Sequence, residues 1–183
     1  MKKAIVRPED YLSLFKNKKL GQRSLLKYRD RFPLFASPEL AGIVADLTGD
    51  GYLGRGIIQF ISKNKKDVAD FRRRAESIFN IKGYLRMSPT TPGVWECLFG
   101  SNFLSKILML AGTPYGNKTA TLFSVPNWIL DGNRRIKVEY LKHLFDCEGS
   151  VIFQRNNRIR IKFTMRKDLD KFDNLMAYAN QIR

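Results

Sequence analysis

The sequence predicts an α+β protein built from two related halves. Three observations carry this. Apolar stretches at helical spacing are interleaved with short runs that alternate every second residue. Two helices each end in an acid followed by glycine, at Asp50-Gly51 and Glu148-Gly149. The pattern after each then repeats: Ile58-Gln59-Phe60-Ile61-Ser62-Lys63 through Asp67 to Phe71 matches Ile161-Lys162-Phe163-Thr164-Met165-Arg166 through Asp168 to Phe172. A repeat at this spacing marks two copies of one α-β-β-α unit.

The elements follow in order. Residues 1–36 read as an irregular or short-helical arm that Pro33 breaks. Ser37-Pro38-Glu39 is a helix start: serine suits the cap, proline the first helical position, and glutamate the positive end. Leu40 to Thr48 is apolar nearly all round, so this helix is expected to be buried. Its small residues Ala41, Gly42, Ala45 and Gly49 let another backbone come close. Tyr52 to Ser62 reads as two strands about a Gly54-Arg55-Gly56 turn. Asp67 to Phe79 is an amphipathic helix with Val68, Phe71, Ala75 and Ile78 on one face. Ile81 to Met87 and Val94 to Phe99 read as strands. Ser101 to Leu110 reads as a short helix ending at Gly112. The pattern restarts with a helix over Arg135 to Cys147. Strands over Ser150 to Gln154 and Arg158 to Thr164 follow, with a turn at Asn156-Asn157, then a helix over Asp168 to Ala179.

Composition narrows the function. The chain has 183 residues, with 33 Lys and Arg against 17 Asp and Glu, a net charge of +16. This excludes an acidic disordered module and favours a polyanionic partner, nucleic acid first. The charge is spread over 16–31, 63–74, 134–142 and 155–167, so the folded surface itself must be basic. Two cysteines, Cys97 and Cys147, do not suit a disulfide-built secreted domain. No apolar run approaches the ~20 residues of a membrane span. The N-terminus is charged again by Arg7 and does not read as a signal peptide. An intracellular location, in a prokaryote or an organelle, is expected.

Two repeated units pack naturally about a pseudo-twofold axis, with the two acid-Gly helices at the interface. Asp50 and Glu148 would then meet at two helix C-termini, where negative charge opposes both dipoles. A hard, oxygen-liganded cation relieves that, Mg²⁺ or Mn²⁺. On nucleic acid, carboxylates holding such an ion mean phosphodiester hydrolysis.

At these residues the sequence resembles the LAGLIDADG homing endonucleases. The first motif copy is Ile43-Val44-Ala45-Asp46-Leu47-Thr48-Gly49-Asp50-Gly51. The second is Leu141-Lys142-His143-Leu144-Phe145-Asp146-Cys147-Glu148-Gly149. The resemblance covers roughly residues 37–183 and points to the single-chain, two-motif type. It implies αββαββα units with saddle-shaped antiparallel sheets in the DNA major groove, at 37–128 and 129–183. It implies metal binding and catalysis by Asp50 and Glu148, a catalytic Lys118, and a water-ordering Asn64. For Asn64 the competing reading is a cap for the helix that contains Asp67.

Groove-facing residues are expected at Arg158, Arg160 and Lys162, which alternate with Ile159, Ile161 and Phe163. In the first unit Arg55, Gln59, Lys82, Tyr84 and Arg86 are the counterparts. Two other ions fit less well. Asp46, Thr48, Asp50 and Gly51 match the start of a calcium loop, but its twelfth position is Ile57, not glutamate. His143 and Cys147 have zinc-ligand spacing, but only Cys97 remains as a third soft ligand. After Gly149 only residues 150–183 follow, enough for a hairpin and one helix, so the second unit is expected to be incomplete or completed by another chain. The reading is a metal-dependent DNA endonuclease carried by an intron or intein-like element. Its rival is a non-catalytic scaffold, either an RNA maturase bound to intron RNA or a DNA-binding regulator.

Overall fold

The first turn of the central helix explains its position. The computed structural model describes residues 3–153 and 158–164. Ser37 Oγ accepts from the Leu40 amide at 3.1 Å, and Pro38 occupies the first helical turn. From there α3 (Pro38–Thr48) runs with every residue from Leu40 to Thr48 buried. Each buried Leu, Ile or Val here contributes about 1.5–3 kcal/mol of apolar burial. Truncating Leu47 to alanine would cost about 2–5 kcal/mol.

After α3 come β3 (Gly51–Gly54), β4 (Ile57–Ser62), α4 (Lys65–Phe79), β5 (Tyr84–Met87), β6 (Trp95–Gly100) and α5 (Asn102–Leu110). The four strands form one antiparallel sheet in the order β3-β4-β6-β5. With the helices, the order is αββαββα, an α+β fold. The inner face carries Leu53, Ile58, Phe60, Cys97 and Phe99, all buried. α4 covers it: the Phe71 ring lies 4.9 Å from Phe60 and 6.2 Å from Phe99. The strand expected from Ile81 starts only at Tyr84. Asn80 closes α4 in the left-handed region (φ 49°), and the Gly83 amide donates back to Glu76. Residues 81–83 are thus still leaving the helix.

A short helix not expected from the sequence, α6 (Asn127–Leu130), follows Pro126 and is pinned by Trp128 Nε1 donating to the Ala111 carbonyl at 2.8 Å. Next is α7 (Arg134–Glu148), capped by Asn133, which accepts from Ile136. α7 lies along α3. A Cβ added at Gly42 would sit 2.7 Å from His143, and one at Gly49 would sit 2.4 Å from Cys147 Cβ. The two helices therefore run to the same end, and their last turns touch.

Residues 3–36 form β1 (Ala4–Val6) paired with β2 (Leu34–Phe35), together with α1 (Pro8–Ser13) and α2 (Lys18–Lys27). Val6, Tyr11 and Leu34 belong to the same buried core as α3. Tyr28 stacks on Phe103 of α5 at 3.9 Å. At the other end, β7 (Gly149–Phe153) and β8 (Ile159–Phe163) form a separate antiparallel pair. The turn at Asn156-Asn157 and the helix expected over 168–179 lie outside the described residues. No described helix is long and apolar enough to cross a membrane.

Candidate metal and nucleic-acid site

Asp50 lies two residues past the end of α3, just after its Gly49 cap, and Glu148 is the last residue of α7. The Gly49–Cys147 contact brings these ends together, and Glu148 Cγ would lie 3.5 Å from a Cβ at Gly49. Burial is the largest cause raising the Asp50 pKa; Lys118 lowers it, Asp46 raises it, and a hydrogen bond from Cys147 lowers it. Burial likewise raises Glu148 first, with Asp50 raising it further and Lys118 opposing. The Cys147 thiol is pushed up to about 12, chiefly by burial, so it stays protonated beside the two acids.

Lys118 reaches this point from the loop after α5. Its Nζ donates to the Leu47 carbonyl at 3.3 Å, the Thr48 carbonyl at 3.1 Å and the Gly49 carbonyl. These are orphan acceptors at the end of α3, where a cation is favoured by the dipole. Burial lowers the Lys118 pKa, while Glu148, Asp50 and Cys147 hold it up. A cation does sit where two acids meet helix ends, and in the chain itself it is an ammonium group.

Behind this pair lies a polar network inside the helix interface. Arg74 of α4 donates to Asp46 at 2.6 Å and to Asp70 at 2.7 Å. His143 Nδ1 is 2.9 Å from Asp46 Oδ1, and its Nε2 is 3.0 Å from Glu139. This uses Asp46 and His143 in packing, which suits neither a calcium loop nor a zinc pair. Among the described residues no three His, Cys, Asp or Glu side chains converge as a metal cluster. Asn64 caps α4: its Oδ1 accepts from the Lys66 amide at 3.0 Å, and its Nδ2 donates to Asp67 at 3.0 Å.

The outer sheet face presents Tyr52, Ile57, Gln59, Ile61, Tyr84 and Arg86, by register. Tyr84 is 77% exposed. The expected contact residues Gln59 and Arg86 are not free, because Glu96 stands between them. Gln59 Nε2 donates to Glu96 at 2.6 Å, and Arg86 Nε donates to its other oxygen at 2.6 Å. Glu96 escaped the sequence reading, although the alternation of Trp95-Glu96-Cys97-Leu98-Phe99 places it on this face. Lys82 lies before β5, exposed, 3.5 Å from Glu76. Arg55 is exposed in the β3–β4 turn. Arg160 faces Ile152 and Lys162 faces Ser150 across the second hairpin, and both share one face. Arg158, just before β8, is exposed.

No family model matches the chain. Over 99% of its length the chain is 27% identical to part of the tRNA-splicing ligase RtcB of Pyrococcus abyssi (strain GE5 / Orsay), a match covering 21% of that protein. Over 86% it is 27% identical to part of the RtcB of Methanopyrus kandleri, covering 18% of it. Over 79% it is 24% identical to part of the replication factor C small subunit of Methanocaldococcus jannaschii, covering 7%. The chain thus spans about a fifth of the ligases it matches. Among solved structures it is similar to I-DmoI in complex with DNA and Mn, with TM-score 0.42 and 16% identity over 62% of this chain and 63% of that one. It is also similar to the homing endonuclease I-WcaI bound to its DNA recognition sequence, with TM-score 0.38 and 15% identity over 87% and 88%.

Proposed function

We propose that the chain is a site-specific DNA endonuclease that hydrolyses phosphodiester bonds at the Asp50–Glu148 pair with a divalent metal. The observation that carries this reading is the meeting of two carboxylates at the ends of two packed helices, each pushed toward protonation by burial. Such a pair fits a hard cation, Mg²⁺ or Mn²⁺. Both donors are oxygens, and only two side chains supply them, which leaves positions for water and phosphate. Asp50 and Glu148 would hold the ion. When bound, it neutralises phosphate charge and acidifies water for attack.

The chain's own residues set the stage. Lys118 ties down the terminal carbonyls of α3 and so fixes the turn that carries Asp50. Its charge also favours ionised Asp50. Because burial raises both acids, activity should rise with pH as they lose their protons. Tyr84 and Arg55 of the first unit, and Arg158, Arg160 and Lys162 of the second, offer contacts to a DNA groove and its phosphates.

The relatives support a mobile module rather than a ligase or a replication factor. Their printed names describe different activities, yet the matching segment is a minor part of each. A shared inserted segment, of an intron or intein-like kind, accounts for that distribution.

The test uses the purified chain and a plasmid bearing the uninterrupted allele of its own host locus. Cutting in Mg²⁺ and loss of cutting in chelator are expected. Asp50→Asn and Glu148→Gln should each lower cutting by at least about 10²-fold, the scale of losing one aligned catalytic group. Retained cutting in both variants, each folded by circular dichroism, would overturn the assignment. Host-intron splicing stimulated equally by the double variant would favour an RNA maturase.

A further inference from the structure

The basic run over residues 16–31 is not used by the sheet, and the structure gives it a place. α2 packs on α1 through buried Gly21, whose added Cβ would meet Phe15 at 3.1 Å. α1 in turn packs on α5, with Tyr11 and Phe103 ring centroids 5.5 Å apart. Between α2, α5 and the β3–β4 turn lies an open groove of about 590 Å³. Lys16, Arg55 and Lys106 line it, with Phe15, Leu20 and Tyr115 as its apolar part. No acid lines it. Among the described residues, none of its three cations is in an ion pair. Lys106 Nζ instead lies 4.5 Å from the Phe15 ring centroid.

α2 itself carries no acid from Lys18 to Lys27. Lys19, Arg23 and Lys27 recur at every fourth position, so they form one exposed row beside Leu20 and Ser24. Unneutralised cations beside an apolar wall attract phosphate more strongly than the same cations in open water. Asp50 lies at one end of β3, and Arg55 and the groove lie at the other. Four strand residues span about 13 Å. A duplex that lies along the hairpin from Asp50 therefore passes Arg55 and meets this groove beyond the sheet.

We propose that the α2–α5 groove and the Lys19 row grip the phosphate backbone of duplex DNA flanking the stretch covered by the sheet. The proposal rests on the endonuclease reading and extends its footprint. The chemistry is backbone contact, so it adds affinity and register without reading bases.

The test compares duplexes of about one and about four helical turns, about 10 and 40 bp, centred on the Asp50–Glu148 ends, over a salt series; the short one ends about 17 Å from its centre, near Arg55. The variant is Lys16→Ala, Lys19→Ala and Arg23→Ala together, all at exposed positions. On the long duplex its log-affinity against log-salt slope should fall by about 2–3, near 0.9 per phosphate lost. On the short duplex the slope should stay within about one of the wild-type value. An equal change at both lengths, or none, overturns the groove while leaving the nuclease reading intact. Tighter binding to a folded RNA than to the long duplex at matched salt, lost in the variant, also overturns it. Failure of the wild type to bind either duplex removes the endonuclease reading beneath it.

Discussion

His143 Nδ1 of α7 lies 2.9 Å from Asp46 Oδ1 of α3, and this contact ties the two helices together within the last two turns of each. The other ring nitrogen faces Glu139 at 3.0 Å. A neutral imidazole can donate through only one nitrogen, whereas the protonated ring donates through both. Burial opposes the proton most, and Arg74, bound to the same Asp46, opposes it too, but the hydrogen bond and charge of Asp46 favour it, helped by Glu139. The net result is a His143 pKa raised above 6.5.

The consequence is a pH-dependent stability. A group whose folded pKa is raised contributes stability that is fully present below its unfolded value and is lost as pH rises through the folded value. Thermal melts from acid to mildly alkaline pH should therefore fall across the range above 6.5. In His143→Gln that component should vanish. Parallel pH curves for the two proteins would refute the role of this ring.

Gly49 and Cys147 set the distance between the two helix ends that carry Asp50 and Glu148. A Cβ at Gly49 would stand 2.4 Å from Cys147 Cβ, so Gly49→Ala must push the helix ends apart. The expected cost is about 1–3 kcal/mol of overpacking. Cleavage should fall by about 10²-fold, because about an ångström of misplacement has that effect. Adding Cys147→Gly should restore much of both losses, measured by melting and by plasmid cutting. No rescue would mean that the contact does not set the spacing.

Glu96 restrains the outer sheet face. Its two oxygens hold Gln59 and Arg86, each at 2.6 Å. Glu96→Gln keeps the shape but removes the charge that offsets Arg86. Binding to random-sequence duplex should tighten, and its salt slope should steepen by about 1, one added phosphate contact. An unchanged slope would show that Arg86 does not meet phosphate even when released.

Much of the fold was legible because its signals are local. Ser37-Pro38 announces α3, and the alternating apolar residues of β4 and β6 mark a one-sided sheet. The candidate pair Asp50 and Glu148 came from the same source, since a repeat exposes corresponding positions. What local pattern could not give were contacts between elements distant in sequence. Glu96 neutralises Arg86 only because β5 and β6 pair in the observed register. Arg74 reads as a surface arginine on α4, yet it is buried because Asp46 and Asp70 flank it. Asn64 caps α4 rather than facing Asp50, a choice made by the hydrogen bonds of one turn.

The sequence by itself determined the α+β character, the repeated residue pattern, and the two acid-Gly helix ends. It did so because spacing and caps are written residue by residue. Only the tertiary structure decided that Lys118 is the cation at those ends. A loop lysine 68 positions after Asp50 can find the α3 carbonyls only once the first unit has closed around them. It also decided that the basic run near the N-terminus lies beside the β3–β4 turn. Charge in a sequence has sign and number, but folding alone gives it a direction.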